Sequence, residues 1–161
     1  VYTWRRAWLN AIMLFLTASG GRLAIIPVAA LSYVVWRQGR WPDSVTVLAS
    51  VGGAAVLTLA LKALFGRPRP DIIPPLVIET TSSFPSGHTT LLTVVALALR
   101  GKGKGAMVAL IILGLNMIGV LYLGLHRPAD VVVGLLLGWF SVLSGRYLLR
   151  KYEGKCSNLW R

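Results

Sequence analysis

Two histidines, a lysine and several arginines stand at spacings that suit phosphate chemistry, in a chain otherwise poor in charge. They fall in three short phrases: Lys62 followed by Gly66-Arg67-Pro68-Arg69-Pro70, then Pro85-Ser86-Gly87-His88, then His126-Arg127-Pro128-Ala129-Asp130. Lys62 and Arg69 supply fixed positive charge, and a guanidinium fork matches phosphate oxygens. Ser86 and Gly87 stand where an apolar run begins, so a helix opening there has free backbone N–H groups for an anion. Gly87 also allows a ligand to approach the backbone closely. Pro128 suits the first turn of a helix, which places Asp130 in that same turn. From there Asp130 can hold one ring nitrogen of His126 and leave the other as a nucleophile. His88 is the candidate general acid for the departing oxygen.

Each residue taken singly has a plainer reading. A lysine near a span end snorkels to the interface, a serine before an apolar run caps a helix, and an aspartate in a first turn complements the helix dipole. What those readings leave unexplained is convergence, and convergence depends on the elements that carry the three phrases.

Of the 161 residues, 55% are hydrophobic and only 14% charged, with a mean hydropathy of +0.68. The apolar residues lie in long blocks rather than alternating, which predicts an integral membrane protein. Six apolar spans are expected, at roughly 7–19, 22–37, 44–65, 86–100, 105–125 and 128–149, forming one all-α bundle of six transmembrane helices over residues 1–161. The first two are short and separated only by Gly20-Gly21-Arg22, so one broken element is the alternative. The stretch 66–85 is the one substantial loop.

With the N-terminus inside, the cytoplasmic ends hold Arg5, Arg6, Arg37, Arg40, Arg100, Lys102, Lys104, Arg146, Arg150, Lys151, Lys155 and Arg161, which is 12 of 17 basic residues. Reading 7–37 as a single crossing would put Arg5 and Arg6 on the wrong side, so two crossings and cytoplasmic termini are expected. Trp4, Trp8, Trp36, Trp41 and Trp160 fall near those boundaries. The net charge of +12 is then a topology signal. A nucleic-acid role is excluded, because the charges are split between membrane boundaries with no basic-aromatic platform. The single Cys156 cannot form an internal disulfide. On this topology all three phrases meet at the extracytoplasmic face.

Lys62-x6-Arg69-Pro70, Pro85-Ser86-Gly87-His88 and His126-x3-Asp130, with the local phrases GRPRPD and YLGLHRPAD, resemble the type 2 phosphatidic acid phosphatase superfamily. The likeness runs from about residue 58 to 138, in the family's order and spacing. Its membrane members are six-span lipid phosphate phosphatases. The resemblance implies that Lys62, Arg69, Ser86 and Gly87 bind phosphate, that His88 is the general acid, and that His126 becomes a phosphohistidine oriented by Asp130. It implies no metal and no cofactor, and the acidic residues are too few and scattered for a two-metal phosphatase.

One departure stands out. The family's third motif opens with Ser-Arg, and here those positions are Gly119 and Val120. Losing one charged contact in a transition-state clamp costs on the order of 10²–10³ in rate. Arg67 or Arg127 then compensates, the site tolerates the loss, or the chain is weakened; otherwise those two arginines face headgroups or pair with Asp71 and Glu79. Raised turnover in Val120→Arg would mark a weakened site, and unchanged or lower turnover local compensation.

The expected function is a multi-pass phosphatase, in a bacterial inner membrane, acting on a phospholipid or polyprenyl phosphate. Undecaprenyl pyrophosphate, phosphatidylglycerol phosphate, phosphatidic acid and the 1-phosphate of lipid A all fit. The rivals are a lipid-phosphate binding or transport protein that lost turnover, and a lipid phosphotransferase.

Overall fold

The computed structural model describes residues 6–20, 25–37, 41–71, 76–77, 79–100 and 103–156. Among them all regular structure is helical: α1 (Ala7–Gly20), α2 (Ile25–Arg37), α3 (Trp41–Phe65), α4 (Gly87–Ala98), α5 (Lys104–Tyr122) and α6 (Pro128–Cys156). Among the described residues three stretches are long and apolar enough to cross a membrane: Ser44–Phe65, Lys104–Tyr122 and Pro128–Lys151. Each spans close to the ~30 Å hydrocarbon thickness at about 1.5 Å per residue.

Helix α4 is the axis of the bundle. It packs against α3, α5 and α6, and more lightly against α1. Its apolar side chains join separate clusters: Leu92 and Ala96 with Ala109 and Leu113 of α5, Val95 with Val28 of α2 and Val47 of α3, and Val94 with Ala54 and Val142. A helix this short stays in place because nearly all of its circumference is covered. Its buried hydroxyls bond back along the helix, Thr90 Oγ1 to Ser86 O at 2.9 Å and Thr93 Oγ1 to Thr89 O at 2.7 Å, so no polar group is stranded there.

Close approach of α6 to α4 depends on glycine. A Cβ on Gly134 would lie 2.7 Å from Ser86 O, and one on Gly138 would lie 2.6 Å from Thr90 O and 2.7 Å from Thr93 Cβ. Small residues four apart let two backbones touch, as in helix pairs within membranes. Gly138→Ala is therefore expected to cost about 1–3 kcal/mol and to reduce activity by displacing α6. Gly52, where an added Cβ meets nothing within 4 Å, is the control; Gly52→Ala is expected to be neutral or mildly stabilising. Thermal inactivation in detergent reads both.

The first two helices differ from the expected pair of opposed crossings. Asn10 Oδ1 accepts from Tyr122 at 2.7 Å, and Leu16 O accepts from Asn116 Nδ2 at 3.0 Å, so α1 runs antiparallel to α5. Ser32 O accepts from Ser44 Oγ at 2.9 Å while Val28 packs on Val47, so α2 runs antiparallel to α3. Since α3 and α5 both end at the face carrying Lys62 and His126, α1 and α2 both run away from it. They have 14 and 13 residues, each only about two-thirds of a bilayer core in length. Helix α1 lies along the site-side half of α5, and α2 along the far half of α3. The two are successive parts of one descent, and α1 begins on the same side as His126. Trp8, 65% exposed in the first turn of α1, is accordingly at the site-side boundary. Arg5, Trp4, Arg40, Lys102, Trp160 and Arg161 lie outside the described residues.

Candidate active site

Three chain reversals at one end of the bundle bring the sequence phrases together. Helix α3 carries Lys62 in its last turn and stops at Gly66, whose φ of 51° suits glycine and whose N–H returns to Lys62 O at 3.0 Å. The chain then leads through Arg67, Pro68 and Arg69. Ser86 caps α4, its Oγ accepting from Thr89 N at 3.5 Å and from Thr89 Oγ1 at 3.1 Å. Leu123 and Leu125, both buried, anchor the turn that delivers His126.

Lys62, Arg69, Gly87, His88 and His126 line a cavity of about 210 Å³, together with Glu79, Thr81 and Leu91. The two imidazole rings lie 6.4 Å apart, centre to centre. Arg69 is held on three sides, by Nε to Thr81 O at 3.0 Å, Nη2 to Thr81 Oγ1 at 3.2 Å and Nη1 to Leu125 O at 2.9 Å. Lys62 donates to Ser82 O. Glu79 stands 3.9 Å from Arg69 and partly offsets its charge. A cavity walled by an ammonium and a guanidinium, with a helix N-terminus opening into it, is suited to a phosphate group.

His126 Nδ1 lies 2.7 Å from Ser83 O. A carbonyl oxygen only accepts, so Nδ1 carries the hydrogen and Nε2 keeps its lone pair. Burial, and next the charge of Arg69, pushes the His126 pKa down from 6.5 to about 3. The site thus holds a neutral imidazole with one basic nitrogen. Between about 3 and 6.5 the unfolded chain takes up a proton that the folded site refuses, so stability is expected to fall as pH drops through that window. In an NMR titration His126 is expected to remain neutral at about pH 5, and a midpoint near the ordinary value of about 6.5 would contradict the buried setting.

Asp130 is fully buried and serves several partners at once. Its Oδ1 accepts from Arg67 Nη1 at 2.9 Å and its Oδ2 from Arg127 N at 2.9 Å, the latter closing the first turn of α6 as a capping box does. Oδ2 is 3.8 Å from His126 Nδ1, beyond hydrogen-bond length. The group touching the nucleophile candidate is the Ser83 carbonyl, with Asp130 behind it.

Ser86 departs from expectation. Its N–H is spent on Asp130 O at 3.0 Å and its side chain is wholly buried, so it stitches α4 to α6 and does not line the cavity. Gly87 does line it. Arg67 is neither a cavity residue nor paired with Asp71 or Glu79: one edge holds Asp130 and its guanidinium carbon stands 6.0 Å from the Phe84 ring centre. Arg127 is likewise absent from the cavity wall. Val120, at the missing arginine's position, is fully buried, and Gly119 is packed under Thr17, where a Cβ would meet Oγ1 at 2.8 Å. Thr81, Ser82 and Ser83 were missed in the sequence, because what they contribute to the cations and to His126 is mostly backbone carbonyls, which no residue type advertises.

The fold and site together define an α-helical membrane-type protein with a cationic, two-histidine cavity. A family model described as the PAP2 superfamily matches residues 43–153, and the chain belongs to that superfamily. It is 33% identical over 146 residues to an undecaprenyl-diphosphatase of Sulfolobus acidocaldarius, covering 86% of this chain and 70% of that one. It is 31% identical over 148 residues to phosphatidylglycerophosphatase B of Bacillus subtilis, covering 83% and 72%. The crystal structure of a transmembrane PAP2 type phosphatidylglycerolphosphate phosphatase from Bacillus subtilis matches with a TM-score of 0.74 at 27% identity, over 94% of this chain and 79% of that one. That of Aquifex aeolicus LpxE matches in fold, with a TM-score of 0.77 at 23% identity, over 89% and 88%.

Proposed function

We propose that this protein is a membrane phosphatase that releases inorganic phosphate from a lipid monophosphate or diphosphate through a phosphohistidine on His126. The observation that carries this reading is a neutral His126 with a free Nε2, facing His88 across a cavity walled by Lys62 and Arg69. Nε2 attacks phosphorus and the bond to the leaving oxygen breaks, with His88 giving that oxygen its proton. Water then loses a proton to His88 and attacks the phosphoenzyme, the P–N bond breaks, and phosphate leaves with both histidines restored. Lys62 and Arg69 offset charge on the equatorial oxygens throughout. Asp130 acts at one remove, through Arg67, the 126–130 turn and its proximity to the ring.

The cavity presents positive charge where a metal-dependent phosphatase needs carboxylates, so the reaction proceeds without a metal ion. Relatives named for undecaprenyl diphosphate and phosphatidylglycerophosphate support a lipid substrate. Its headgroup occupies the cavity while its chains stay in the bilayer. The cavity opens on the extracytoplasmic side, because Arg37, Arg100, Lys104, Arg146, Arg150 and Lys151 gather at the opposite end. On the helix senses, α6 ends on the cytoplasmic side and α1 with α2 makes one crossing, giving five among the described residues rather than the six expected.

Val120 favours a second reading, a lipid-phosphate binder with little turnover. Phosphate release from purified protein in detergent, with EDTA present, separates the two. The expected result is chelator-resistant release from at least one of undecaprenyl pyrophosphate, phosphatidylglycerol phosphate, phosphatidic acid and lipid A. Binding without release would favour the binder, and transfer of phosphate to a second lipid would mark a phosphotransferase.

A further inference from the structure

Residues 81 to 83 present three consecutive backbone carbonyls, and each holds a different side chain of the site. Thr81 O accepts from Arg69 Nε at 3.0 Å, Ser82 O from Lys62 Nζ, and Ser83 O from His126 Nδ1 at 2.7 Å. One short strap thus aims both cations and the imidazole. A strap without anchors would drift, and its carbonyls with it. The anchor is Ser83. Its N–H donates to Arg67 O at 2.9 Å, its Oγ donates to Pro68 O at 3.1 Å, and the residue is fully buried. Those two bonds fasten the strap to the same loop that carries Arg69.

We propose that Ser83 is a positioning residue for the reaction: its carbonyl sets the tautomer and direction of His126, and its hydroxyl locks that carbonyl to the 67–69 loop. The proposal rests on His126 being the nucleophile. Thr81 has a separable part, because among the described residues its Oγ1 hydrogen-bonds Arg69 alone, at 3.2 Å, and its side chain is exposed. Loss of the Ser83 hydroxyl frees the end of the strap that carries the Ser83 carbonyl, while Arg69 keeps its bond to Leu125 O outside the strap, so the nucleophile loses its aim more than phosphate binding is weakened. Misplacing a reacting group by about 1 Å costs as much as 10²-fold in rate.

The chain has two histidines, so ¹⁵N-histidine labelling gives two imidazole systems to follow. In the unmodified protein His126 is expected as the Nδ1–H tautomer, and finding the Nε2–H tautomer overturns the proposal without any variant. Ser83→Ala is expected to mix the two tautomers and to lower kcat about ten- to a hundredfold with KM little changed. Thr81→Val is expected to raise KM while leaving kcat nearly intact. A Ser83→Ala protein that keeps both its tautomer and its kcat, or that loses kcat and KM in the same proportion as Thr81→Val, sinks the positioning role. Phosphate release that persists in His126→Ala would instead sink the underlying reading, so the two failures are distinguishable.

Discussion

His126→Ala is expected to reduce phosphate release on the order of 10⁴-fold or more, the scale seen when a covalent nucleophile is deleted. The size of the effect follows from chemistry that nothing else in the cavity can supply. Among the residues lining it, Lys62 and Arg69 are cations, and His88 is the other imidazole. His88 cannot act as nucleophile and proton donor in the same step. The variant also leaves Ser83 O without its partner in a buried setting, a loss of about 1–3 kcal/mol in stability. Rapid acid-free quench with labelled substrate should trap a base-stable phosphoenzyme in the parent protein and none in the variant. A trapped phosphoenzyme that persists without His126 would assign the nucleophile elsewhere.

Arg69→Lys is the second change with a large expected effect, a fall in kcat/KM of about 10²–10³ although the charge is kept. Arg69 reaches Thr81 with two nitrogens and Leu125 with a third, and that triple attachment fixes the plane of the guanidinium. A lysine ammonium reaches one of those acceptors at a time and presents no fork. The side chain is only 17% exposed, so water does not make good the lost bonds. Inhibition by inorganic phosphate measures the ground-state part of the loss and kcat the rest. A lysine variant within a few-fold of the parent would mean that positive charge alone suffices.

The candidate site side chains stood out before any coordinates, because lysine, arginine and histidine are scarce in an apolar chain and their spacing is specific. Lys62, Arg69, Gly87, His88 and His126 do meet in one cavity. Ser86 was misplaced, since its residue type says helix start and only the tertiary fold says that its N–H goes to Asp130 O. The Ser83 carbonyl had no signal at all. The direction of α1 was lost for another reason. Charge rules weigh Arg5 and Arg6, whereas the contacts of Asn10 with Tyr122 and Leu16 with Asn116 decide it. Glycines 134 and 138 look like ordinary membrane-helix residues until the atoms they must clear are known.

The bond from Ser86 N to Asp130 O, with the glycine contact beneath it, joins the helix bearing His88 to the one beginning just after His126. Membrane helices adjust to thicker or thinner bilayers mainly by tilting, and tilt alters distances between helices that touch only through side chains. Here the elements carrying the two histidines are fastened backbone to backbone beside the cavity. A change of lipid chain length is then expected to tilt them as one piece, and the gap between His88 and His126 to keep its width in whatever membrane the protein occupies.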